Sequence, residues 1–147
     1  MKNLHRYMMY MGTIPFVFCS IFIFFKVESL EFFGSVEKIL IYYSVIISSF
    51  ISGSHWGQGI SLNEKFNIFL KIYTNLIAII LFLGLLVFPF NTLISTLIII
   101  FLSFIIVDIK LEKIGYISGI YLKDRFFVTL IVVASLLVSI CSKILNI

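Results

Sequence analysis

A histidine, an aspartate, a tyrosine and an arginine stand out in this chain because each lies in or at the end of a long apolar run: His55, Asp108, Tyr121 and Arg125. Ionisable groups at membrane depth are costly, usually face a bundle's interior, and mark functional sites by default. Histidine is the side chain most easily switched near neutral pH, which makes His55 the natural acid or base of the set. A carboxylate and a guanidinium beside it would pull its charge state in opposite directions, and the nearer one would decide.

Wound as an α-helix at about 100° per residue, Ser44–Gly59 places Ser44, Ser48, Ser52, His55 and Gly59 on one narrow stripe. Trp56, Ser49, Gly53 and Gly57 continue a small and polar surface beside it. The last three form a small-xxx-small row of the kind that lets helices approach closely. Tyr121, Arg125, Thr129 and Ser139 share a stripe on a later segment, and the two stripes are expected to meet across the bundle. The candidate pocket is therefore His55, Trp56, Asp108, Tyr121, Arg125, Ser52 and Thr129. A plainer reading stands beside it: Asp108 and Arg125 pair and pin two helix ends, while Trp56 is an interfacial anchor.

Specific reactions find little support. Haem held by two histidines needs both at membrane depth, and His5 is read as lying outside the first span. Zinc wants three or four ligands, and His55 with Asp108 falls short. Ser52, His55 and Asp108 can be written as a Ser–His–Asp set, but no G-x-S-x-G elbow accompanies them. Cys19 and Cys141 form neither a CxxC pair nor a metal-ligand spacing, and read as small buried apolar side chains. No catalytic residue, metal or cofactor is assigned.

The elements that must position these groups are membrane spans. Of 147 residues, 61% are hydrophobic and 12% charged, with a mean hydropathy of +1.17. Soluble domains are about half apolar and a quarter charged. The apolar residues also come in blocks long enough to cross a hydrocarbon layer of about 30 Å. An all-α bundle of five transmembrane helices in a single domain, residues 1–147, is expected, with spans at about 8–25, 39–59, 69–88, 92–108 and 126–145. The first is read as a retained span, since no A-x-A-like site follows it, with Gly12 and Pro15 in its opening turns. Between spans lie a polar loop at Lys26–Lys38, a Pro89-Phe90-Asn91 turn, and a long charged loop at Ile109–Asp124. No segment has room for a soluble catalytic or nucleic-acid-binding domain. The net charge of +4 is read as a topology signal, not as a nucleic-acid signal.

The segment Ser49-Phe50-Ile51-Ser52-Gly53-Ser54-His55-Trp56-Gly57 resembles the SFLGGxHWG signature of the bacterial domain-of-unknown-function family 3429, which also includes the mitochondrial transmembrane protein 69. Gly12-Thr13-Ile14-Pro15-Phe16 resembles that family's G-x-x-P-F, and Tyr121 to Arg125 with Thr129 resembles its Y-x-x-x-R-x-x-x-T. Asp108 falls where the family ends a late span on aspartate. Ser52 departs from the family's glycine, and Ile120 stands where a tryptophan often precedes the tyrosine. The resemblance implies a small multi-span inner-membrane protein and brings no reaction. The expected partners are the lipid bilayer and a membrane-protein partner or second copy. The expected role is that of a small transporter or an assembly factor; the alternatives are a membrane-embedded enzyme using His55 and a purely structural subunit. His55→Phe is expected to abolish function with insertion and abundance near normal.

The positive-inside rule sets the orientation. Lys2, Arg6, Lys65, Lys71, Lys110, Lys113, Lys123 and Arg125 fall on one side of a five-span chain, against Lys26, Lys38 and Lys143 on the other. The N-terminus is therefore expected in the cytoplasm and the C-terminus outside. A C-terminal alkaline phosphatase fusion should be active and a C-terminal green fluorescent protein fusion dark; the reverse pattern would invert the topology.

Overall fold

In hydrocarbon every backbone N–H and C=O must find its partner within the protein, and the helix achieves this within one segment. The computed structural model describes residues 4–145, and among them five helical stretches are long and apolar enough to cross a membrane. The first is split into α1 (Leu4–Met11) and α2 (Ile14–Phe24). A two-residue hairpin, β1 (Ser29–Leu30) with antiparallel β2 (Gly34–Ser35), leads to α3 (Val36–Gly59). Then come α4 (Glu64–Val87), α5 (Phe90–Lys113) and α6 (Gly119–Leu145). One end of the bundle gathers the start of α1, the α3–α4 turn and the α5–α6 turn. The hairpin, the α4–α5 turn and the end of α6 lie at the other.

The helices outrun the apolar blocks at several ends. α5 continues through Lys110, Glu112 and Lys113, and α6 begins at Gly119, so the long loop expected at Ile109–Asp124 shrinks to residues 114–118. Lysine and glutamate are good helix formers, cations suit a helix C-terminus, and long charged side chains reach out of the apolar layer. The stop is a backbone device: Gly115 adopts φ +74°, and the Tyr116 N–H bonds the Leu111 carbonyl at 2.9 Å. This six-to-one bond is the Schellman closure, which favours glycine at its left-handed position. Likewise Glu37 and Lys38, read as loop, belong to the first turn of α3.

Pro15 stands in the first turn of α2, as expected of an opening turn, but α1 precedes it. Because the first helix starts at Leu4, the proline falls in mid-span, where its missing N–H and ring break the ladder. The break is at Gly12 and Thr13. The Thr13 hydroxyl donates to the Tyr10 carbonyl at 2.7 Å, and the Tyr43 hydroxyl of α3 donates to the Gly12 carbonyl at 3.0 Å.

Packing follows the stripes. α2 lies against α3 and α6, α5 packs on both α3 and α6, and α4 rests mainly on α3. The serine stripe of α3 is buried throughout, at Ser44, Ser48, Ser52, His55 and Gly59. It does not lie directly on the α6 stripe, because α2 and α5 occupy the space between. The Ser49–Gly53–Gly57 row is turned outward, with nothing within 4 Å of where a Cβ would stand at either glycine. The close approaches use other glycines: a Cβ at Gly84 would stand 3.0 Å from Leu93 Cδ1 and 3.2 Å from Phe88 Cδ2. Cys141 is exposed on the outer face of α6, unlike buried Cys19.

This contrast gives a paired test. Gly84→Val should overpack the α4–α5 turn and cost about 1–3 kcal/mol. Gly53→Val, facing open space, should stay within about 0.5 kcal/mol. Reversible unfolding in mixed micelles measures both, and equal costs would contradict this packing.

Candidate functional site

Three inward stripes converge near the end where α3 finishes and α6 begins. On α5 the buried series Leu97, Phe101 and Phe104 is continued by Asp108, so the carboxylate inherits the direction of the core. On α6 the series Leu136, Val132 and Thr129 leads to Arg125. On α3 the serine stripe leads to His55. All three charged or titratable groups are buried, at 2% exposure for His55 and Asp108 and 7% for Arg125.

Asp108 joins them. Its Oδ1 lies 2.8 Å from His55 Nε2, and its Oδ2 accepts from Arg125 Nε at 3.1 Å. An ionised carboxylate only accepts hydrogen bonds, so Nε2 carries the shared proton. His55 Nδ1 has no hydrogen-bond partner among the described residues. The Phe104 ring meets the imidazole edge-on, with centroids 5.5 Å apart, and Tyr73 O–H with Ser103 Oγ forms a neighbouring 2.6 Å hydroxyl pair.

The remaining sequence-derived residues divide. Tyr121, Arg125 and Thr129 line a cavity of about 450 Å³ bounded by α1, α2, α3, α5 and α6. Ser52 is turned to α4, where its hydroxyl donates to the Thr74 carbonyl at 3.3 Å. Trp56 is 43% exposed on the outward side of α3. A 100° step per residue separates it from the inward direction of its neighbour His55. The cavity wall thus takes Arg125 from the triad, while His55 and Asp108 stay behind it.

Sequence reasoning missed two contributors. His5, read as outside the first span, belongs to α1 and lines the cavity. Asp124, read as the end of a loop, is buried at 2% exposure and pairs with Arg6 at 3.0 Å, and its Oδ2 has no partner among the described residues. The signal was the adjacency Asp124-Arg125: on a helix, neighbours point about 100° apart, so one faces α1 while the other faces α5. Among the described residues no group of three His, Cys, Asp or Glu side chains could hold a metal ion.

A sequence profile described as "Protein of unknown function (DUF3429)" matches residues 1–141. The chain belongs to the DUF3429 family. No curated protein and no solved structure matches it. For this DUF3429 protein the matched region takes in all the residues of the triad and of the cavity wall.

Removing one partner of a buried charge pair strands the other, at about 3–5 kcal/mol. Asp108→Asn should therefore destabilise the protein by about that much, since it leaves Arg125 unpaired. His55→Phe deprives Asp108 Oδ1 of its donor and should cost about 1–3 kcal/mol. In a double-mutant cycle the two substitutions should be strongly non-additive. Additive costs would mean that the His55–Asp108 bond is absent in the membrane.

Proposed function

We propose that this protein is a non-enzymatic, multi-pass protein of the inner (plasma) membrane, N-terminus in the cytoplasm, that holds a membrane-soluble ligand as a small carrier or assembly factor. The observation that carries this reading is the cavity. Its volume of about 450 Å³ lies within the range of roughly 300–1,000 Å³ usual for ligand sites, which are mostly apolar with a few placed polar groups. Its wall follows that pattern, with Phe16, Phe101 and Val132 beside Tyr121, Arg125 and Thr129. His55 is absent from the wall, which favours binding over acid–base catalysis on a bound substrate.

A second reading, a structural subunit without a ligand, draws on the closed pairing of His55, Asp108 and Arg125. In it the triad only fastens α3 and α6 to α5.

Native mass spectrometry of protein purified in mild detergent separates the two. The wild type should carry a bound non-protein mass, and Val132→Phe, which fills the apolar part of the cavity, should lose it without loss of folded protein. A wild type with no bound small molecule under conditions that preserve lipid adducts, or one carrying only a partner polypeptide, would reject the carrier reading.

A further inference from the structure

Resting on that reading, we propose that the ligand is a single-chain anionic amphiphile, its carboxylate or phosphate head met by Arg125, Tyr121 and Thr129 and its hydrocarbon chain lying along Phe16, Phe101 and Val132. The hydroxyls of this bundle divide by what they bond. Most of those packed between helices bond a backbone carbonyl, as Ser44 does to Leu40, Thr74 to Leu70, Ser135 to Ile131 and Ser139 to Ser135; Ser48 Oγ is the buried exception among them, away from the cavity wall. Thr129, at 5% exposure, and Tyr121 line the cavity, and neither hydroxyl has a hydrogen-bond partner among the described residues. Arg125 donates from Nε to Asp108, while its two terminal nitrogens have no acceptor among the described residues. Four guanidinium N–H groups and two hydroxyls thus border one space, and what they lack is acceptor oxygen.

The wall is graded along the bundle. His5, Ser54, Tyr121 and Arg125 lie toward the end where α3 finishes and α6 begins, whereas Phe16, Ile47, Phe101 and Val132 lie farther along their helices toward the middle. A molecule with its head at the first end and its tail toward the middle matches that gradient. A volume of about 450 Å³ suits one chain better than two, sitting in the lower half of the roughly 300–1,000 Å³ range. The head is anionic for two reasons. Asp108 divides its two oxygens between Arg125 and His55, so the guanidinium does not hold the carboxylate alone. The surrounding end also carries Lys65, Lys110, Lys113 and Lys123 against Glu64 and Glu112, with Arg6 and Asp124 cancelling each other.

The test uses full-length protein, stripped of ligand and placed in phosphatidylcholine nanodiscs. Equilibrium binding is measured for oleate, oleoyl lysophosphatidate, oleyl alcohol and decylubiquinone. Either acid should bind at least about tenfold tighter than the alcohol of the same chain, and the tighter acid identifies carboxylate or phosphate as the head. Thr129→Val and Tyr121→Phe should each narrow the acid-to-alcohol ratio about tenfold, the size expected for one hydrogen bond to a charged group; a merely structural role would lower thermal stability and leave the ratio alone. An alcohol bound as tightly as the acids, or decylubiquinone as the tightest ligand, would overturn the anionic head and leave the carrier reading standing. Failure of all four to bind would overturn both.

Discussion

A carboxylate walled in by phenylalanine and leucine has to be met by donors, and Asp108 draws its two from different helices. One oxygen takes His55 of α3 and the other takes Arg125 of α6. α5 therefore acts as the shared strut, and the rotation of each neighbour about its own axis is fixed by a single side chain. Making such a pair returns little net free energy, because desolvation offsets the attraction, whereas breaking it costs several kcal/mol. What the triad contributes is the exclusion of other rotations. Leu97, Phe101 and Phe104 of α5, all buried, fill the layers on the same face as Asp108 and hold the strut in that register.

The two ends of the bundle are closed by different means. At the hairpin end Lys143 pairs with Glu37 at 2.6 Å, both partners about a third exposed, and its ammonium lies 4.7 Å from the centre of the Phe90 ring. Exposed pairs of this kind add little stability. The hairpin tip leaves Phe32 and Phe33 uncovered, at 93% and 76% exposure. At the opposite end both carboxylates are buried, Asp108 between two buried partners and Asp124 against a half-exposed Arg6, and the half-polar cavity lies beside them.

Much of this was legible in the sequence, for physical reasons that also explain the misses. Hydrocarbon permits few backbone solutions, so apolar block length alone gave five helices. A helical wheel fixes angle, and angle placed the serine stripe with His55 on one face and Arg125 with Thr129 and Ser139 on another, all of which are buried. It does not name the neighbour. The α3 and α6 stripes were therefore paired directly, although α5 carries the link and α2 fills the gap. The same limit put Trp56 in the candidate pocket and the Ser49–Gly53–Gly57 row at a close helix approach, although both face outward, as the plainer reading of Trp56 as an interfacial anchor had it. Span ends were drawn where charge begins, but lysine and glutamate extend helices. Moving those ends brought His5 and Asp124 into the bundle and put Pro15 in mid-span.

The repair of the proline break reaches beyond its own helix. Pro15 has no N–H to offer the preceding turn, and the Gly12 carbonyl beside the break is bonded by a phenol from α3. A break closed by its own chain could flex as a free joint. This one is tethered to α3 through Tyr43, while the Arg6–Asp124 pair holds α1 to α6, so the angle between α1 and α2 is set jointly by α3 and α6. α1 supplies one wall of the cavity through His5, Met8 and Met9. The bore of that cavity is thereby geared to the same helix that presents His55 to Asp108.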